Sequence, residues 1–115
     1  MSKFTAALNV LDAQIDGHIT LCFCDAKKSG KVSTHHGHGI ATVIDVVYWE
    51  RVDLTVALVD CDLAIERHEY YKANGYGYDH DFIPHITIGK GNLADEMLSL
   101  KGDKLVVGNE YVRTL

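Results

Sequence analysis

Apolar and polar residues alternate through several short runs of this chain, and a strand sends successive side chains to opposite faces. Phe4–Val10, Gly17–Cys24, Val46–Arg51 and Leu54–Asp60 read as strands, with a turn near Val52-Asp53. The period then lengthens. Asp62 reads as the N-cap of a helix over Leu63–Ala73, and Asn74-Gly75 as its stop. Pro84 opens a further strand at His85, a position that tolerates a missing amide donor. Asn92 caps a short helix to about Leu100, and Lys104–Val107 and Tyr111–Thr114 read as a closing pair of strands around Gly108-Asn109. Ala26–Lys31 and Tyr76–Ile83 read as loops, the second aromatic and acidic. Val32–Asp45 is ambiguous: Ser33 is placed to cap a helix through Val43, and Gly37 and Gly39 weaken it. The elements sum to an α+β mixture.

Two of the strands share a tetrapeptide pattern, His18-Ile19-Thr20-Leu21 and His85-Ile86-Thr87-Ile88. Alternation places His18 with Thr20, and His85 with Thr87, on one face of each strand. The intervening Ile19, Leu21, Ile86 and Ile88 face the other way and can join a core. The repeat extends upstream, because Phe4–Val10 and Leu54–Asp60 share a pattern and each precedes a His-x-Thr strand. The longer interval in the second copy falls where Leu63–Asn74 reads as a helix. Two related lobes are expected, whose His-x-Thr strands meet in one cleft.

Composition narrows the class. The chain has 115 residues, 47% of them apolar, which fits one domain over 1–115 with one core. It has no apolar run of about 18 residues, so no membrane span is expected. The opening MSKFTAALNV does not read as a signal peptide. Cys22, Cys24 and Cys61 make no disulfide framework, and a reducing cytoplasm is the expected setting. The net charge of −5, with Lys and Arg scattered, argues against gripping a long nucleic acid and leaves a small nucleotide possible.

The quartet His18, Thr20, His85 and Thr87 suits phosphodiester chemistry. One group must take the nucleophile's proton and another must protonate the leaving oxygen. An imidazole, with an unperturbed pKa of about 6.5, can do either near neutral pH. Threonine hydroxyls can donate to the non-bridging oxygens as charge builds up. The scheme needs no metal and no cofactor.

Gly17-His18-Ile19-Thr20-Leu21 and Pro84-His85-Ile86-Thr87-Ile88 resemble the paired motifs of the 2H phosphoesterase superfamily. The resemblance implies a bilobal, pseudo-twofold α+β fold, in which two small antiparallel sheets form a central cleft with flanking helices. It also implies a metal-independent His/Thr quartet. Arg67-His68-Glu69-Tyr70-Tyr71, Gly75-Tyr76, Tyr78-Asp79, Phe82-Ile83-Pro84-His85 and the closing Val107-Gly108-Asn109-Glu110-Tyr111 are similar to bacteriophage anti-CBASS phosphodiesterases. Those enzymes cleave the cyclic di- and trinucleotide messengers of a bacterial immune system. Tyr78 stands where that group would have a tryptophan, and the chain is short at its N-terminus. The implied partner is a cyclic oligonucleotide met in the host bacterial cytoplasm. The alternatives are a 2′,3′-cyclic phosphodiesterase of RNA ends and a nucleotide sponge that does not cleave.

Other residues carry candidate roles. Trp49, the sole tryptophan, serves either as a platform for base stacking or as core filling. Lys90, just after the second motif, can meet a phosphate or end a solvated strand. The resemblance implies that Glu110 accepts hydrogen bonds from a base amino group; an isolated acid in a turn is otherwise solvated. His35, His36 and His38 lie in a Gly-flanked run with no acidic ligand nearby, which favours a flap over the ligand rather than a metal site. Cys22, on the face of His18 and Thr20, is expected to pack. His68 and His80 are expected to be structural or exposed.

Overall fold

The computed structural model describes residues 3–12, 15, 17–25, 31–76 and 82–114. Most of the expected loop at Ala26–Lys31, and Tyr78 and His80, lie outside the described residues. The elements run β1 (Lys3–Val10), β2 (His18–Asp25), β3 (Gly39–Trp49), a 3-10 turn (Glu50–Val52), β4 (Leu54–Asp60), α1 (Asp62–Ala73), β5 (His85–Lys90), α2 (Ala94–Met97), a second 3-10 turn (Leu98–Leu100) and β6 (Lys104–Thr114).

The bilobal, two-sheet fold with flanking helices is not observed. Among the described residues, six strands form one antiparallel sheet that closes on itself in the order β1-β2-β5-β4-β3-β6. The reason lies in the two longest strands, β3 and β6, of 11 residues each. β3 pairs with β4 through Thr42–Trp49 and with β6 through Gly39–Thr42. β6 likewise pairs with β3 at one end and with β1 from Val107 to Thr114. Each long strand therefore pairs on both sides, and no edge is left for a second sheet.

Two sequence readings had hidden these long strands. The Val32–Asp45 stretch is a helix nowhere among its described residues, and its second half is the start of β3. The break expected at Gly108-Asn109 is a bulge within β6: Asn109 takes a left-handed conformation (φ 47°) and the ladder resumes at Tyr111, opposite Ala7.

Among the described residues the helices are few. Asp62 is the first helical residue of α1 rather than its cap, which is Cys61. At the other end Gly75 (φ 88°) takes the left-handed turn, and the amides of Gly75 and Tyr76 close back on the carbonyls of Lys72 and Tyr71. The Asn92 side chain accepts from the Ala94 amide at 3.2 Å, at the start of α2. No helix among the described residues is long and apolar enough to cross a membrane.

The core joins the sheet to α1. Leu8, Ile19, Leu21, Ala57 and Ile86 from the strands and Ala64 and Tyr71 from the helix are fully buried in one cluster. Phe4 stacks on Tyr76 with ring centroids 4.2 Å apart. Burial of each aliphatic side chain of this size contributes about 1.5–3 kcal/mol. Ile19 and Ile86 also face each other across the β2–β5 seam, where they form the single ladder position. The core thus holds the two His-x-Thr strands together from behind.

Candidate active site

The Ile19–Ile86 pairing determines the geometry of the quartet. Antiparallel continuation of that register sets His18 beside Thr87 and Thr20 beside His85. Both isoleucines are fully buried, so alternation turns all four polar side chains to the opposite face. There His18 and Thr87 are exposed and Thr20 and His85 half-buried. The two imidazoles stand diagonally across the seam, each next to the other strand's hydroxyl.

His85 is oriented on two sides. Its Nδ1 lies 2.8 Å from the Ile83 carbonyl. A carbonyl only accepts, so Nδ1 carries the proton and Nε2 is the nitrogen left to meet a substrate. The Trp49 ring meets the imidazole edge-on, with centroids 4.7 Å apart and planes at 61°. Trp49 is therefore a half-buried wall of the quartet rather than core filling.

Trp49 and Lys90 belong to one cross-strand row. Both are register partners of Leu54, on β3 and β5. The neighbouring row of β3 and β4 pairs Val47 with Val56 and Val56 with Thr87, so Trp49 and Leu54 share the face of Thr87. Lys90 is exposed at the end of this row. The structure thus brings six of the seven expected site residues to one face.

Glu110 is the exception. Its side chain is wholly buried, not presented from a turn. Arg67 of α1 donates through Nε to Oε1 at 2.8 Å and through Nη2 to Oε2 at 2.9 Å. The Tyr71 hydroxyl and the His35 amide also donate to Oε2, at 2.7 and 3.1 Å. Burial works against the Arg67 charge, but the bonds and charge of Glu110 outweigh it and raise its pKa. Burial, then the bond to Glu110, pushes the Tyr71 hydroxyl up.

Sequence reasoning did not find this ion pair. Its members lie 43 residues apart, and neither sits in a repeating pattern. The cluster also ties down the histidine-rich run. Ser33 donates its amide to the Tyr70 hydroxyl at 2.8 Å, and its carbonyl accepts from Arg67 at 2.6 Å.

Elsewhere, Cys22 is fully buried beyond Thr20, and burial pushes its thiol up to about 12. His68 is buried, with Nδ1 at 2.7 Å from the Leu21 carbonyl and its ring stacked on Phe82. Among the described residues, no group of three or more His, Cys, Asp or Glu side chains is placed to hold a metal. A recess of about 410 Å³ between Gly39, Thr42, Asp60 and Lys104 includes no quartet residue.

No relative is found among curated proteins. A family model does match: anti-CBASS protein Acb1, over residues 3–115. Both His-x-Thr strands, Trp49 and the buried ion pair fall inside that match, and the chain belongs to the Acb1 family of anti-CBASS proteins.

Proposed function

We propose that the protein counters CBASS immunity as a metal-independent phosphodiesterase that cleaves cyclic oligonucleotide messengers at the His18, Thr20, His85, Thr87 face. The observation that carries this reading is the Ile19–Ile86 register, which gathers two imidazoles and two hydroxyls around one seam. The resemblance of the two motifs to those of the 2H phosphoesterases supports the same reading.

In the proposed reaction one neutral imidazole takes the proton of the adjacent 2′ hydroxyl, or of a water. The freed oxygen attacks phosphorus, and the 3′–5′ linkage breaks at the oxygen on the far side. The other imidazole, protonated, hands its proton to that leaving oxygen. Each such group contributes about 10²–10⁴-fold. Thr20 and Thr87 donate to the non-bridging oxygens as their charge grows. The Nδ1–H···O=C bond leaves His85 only Nε2 for the proton transfer, whether as acid or as base. Trp49 offers a ring for base stacking beside His85, and Lys90 a charge for a phosphate. Glu110, sealed by Arg67 and Tyr71, acts on the site as an anchor for residues 33–35.

The test is a hydrolysis assay with EDTA, on a panel of cyclic dinucleotides, cyclic trinucleotides and 2′,3′-cyclic mononucleotides. The expected result is linear product from the cyclic oligonucleotides, undiminished by the chelator, with a bell-shaped pH profile. Ligand retained intact would make the protein a sponge. Good turnover confined to 2′,3′-cyclic mononucleotides would make it an RNA-end enzyme.

A further inference from the structure

The quartet face continues across the sheet in a single row. His18 of β2 pairs with Asn9 of β1, and Asn9 pairs with Gly108 of β6. The β3–β6 ladder ends at Gly39 opposite Val107, and one more step of that register brings His38 opposite Gly108. Directly paired residues point to the same face. Thr87, His18, Asn9, Gly108 and His38 therefore form one line.

The line is closed by packing at Gly108. A Cβ built there would collide with the His38 ring and approach the Gly37 carbonyl at 3.3 Å. The missing side chain lets the imidazole lie over the β6 backbone at Gly108, the register partner of Asn9. Asn9 is itself oriented: its Nδ2 donates to the Asn109 carbonyl at 3.1 Å, a carbonyl turned by that residue's left-handed conformation. One Nδ2 hydrogen is spent on that bond, and the second remains a donor. Two strand spacings of about 4.8 Å separate the His18 and Gly108 backbones, roughly 10 Å in all.

We infer that Asn9 and His38, seated on Gly108, form a second phosphate subsite that takes the uncleaved phosphodiester of a cyclic oligonucleotide while the quartet holds the scissile one. Asn9 supplies an amide donor and His38 an imidazole N–H. Both donors suit an anionic oxygen. The inference rests on the proposed function and extends it, by giving the face a reason to prefer a ring with two or more phosphates.

The experiment is calorimetric binding of a hydrolysis-resistant phosphorothioate analogue of a 3′,3′-cyclic dinucleotide and of a nucleoside 5′-monophosphate to the wild type and to Asn9→Ala, His38→Ala and Gly108→Ala. Gly108→Ala is the control that displaces the ring without removing it. The expected result is a loss of about tenfold in the preference for the cyclic dinucleotide in each variant, as one hydrogen bond to a charged group is removed or misplaced. Wild-type preference in His38→Ala and Asn9→Ala overturns the subsite and leaves the proposed function standing. Equal weakening of both ligands overturns it too, because the residues would then support the quartet alone. A wild type that binds neither ligand overturns the proposed function and, with it, this inference.

Discussion

The quartet at the β2–β5 seam and the cluster around Glu110 are both built from polar side chains, but they differ in exposure and in partners. His18 and Thr87 are exposed and turned to solvent, on strands joined at one ladder position. Glu110 is enclosed, with donors from Arg67, Tyr71 and His35 on its two oxygens. Burial of a carboxylate is costly unless it is paired and bonded, so the Glu110 cluster is completed within the protein. In the quartet, His85 spends Nδ1 on the Ile83 carbonyl and keeps Nε2 for a ligand. The seam also differs from its counterpart across the sheet, where β3 and β6 are laddered from Gly39 to Thr42. Four ladder positions join that side, whereas among the described residues Ile19–Ile86 is the one that joins the side with the chemistry.

The contrast is broken most directly at the imidazoles. His18→Ala or His85→Ala should lower turnover by about 10²–10⁴-fold, with little change in the thermal unfolding midpoint. Initial rates and a melt on the same samples decide it, and near-wild-type turnover in either variant would end the two-histidine mechanism.

Glu110→Ala should behave in the opposite way. It leaves the half-buried Arg67 without its carboxylate partner, a loss of about 3 kcal/mol or less in urea unfolding. An unchanged midpoint accompanied by weaker ligand binding would instead make Glu110 a base contact.

Thr20→Ala and Thr87→Ala should raise the barrier by about 2.7–4 kcal/mol or less, one oxyanion donor each, and should show in kcat more than in KM. Trp49→Ala should weaken substrate binding by about 1–3 kcal/mol if a base stacks on it. Titration with a cyclic dinucleotide measures this, and unchanged affinity would leave the ring as support for His85 alone.

The smallest effect sharpens the boundary between the two regions. Cys22 follows Thr20 on β2, yet its thiol is raised from 9.0 to about 12, chiefly by burial. Between those values the unfolded chain releases a proton that the folded chain keeps, so stability should fall as pH rises from about 9 towards 12. Tyr71 and Cys61 are raised as well and act in the same direction. The stability difference between wild type and Cys22→Ala should therefore be constant below about pH 9 and shift against the wild type above it. Parallel curves would mean that the thiol titrates as freely as a surface one.

Local pattern was sufficient for the strands that carry chemistry. β1, β2, β4, β5 and α1 were legible because alternation and capping act within a few residues. The two strands that close the sheet were legible only in part, β3 in its second half and β6 as two separate strands. In β3 the glycines at 37 and 39 read as loop, and in β6 the Gly108-Asn109 pair read as a turn, although a bulge keeps the strand running. Asn9 carried no signal beyond its place in an alternating run. Arg67 and Glu110 carried none as a pair, because an ion pair between a helix and a distant strand has no periodicity to detect.

The sequence by itself determined that two short strands would each expose a histidine and a threonine and bury an isoleucine between them, since alternation is a property of the extended backbone. Only the tertiary structure decided that the two isoleucines pair, that Trp49 closes on His85, that Glu110 is sealed by Arg67, and that six strands form one closed sheet. Those outcomes depend on which edges remain unpaired and which charges must be buried, and such quantities exist only once distant segments meet.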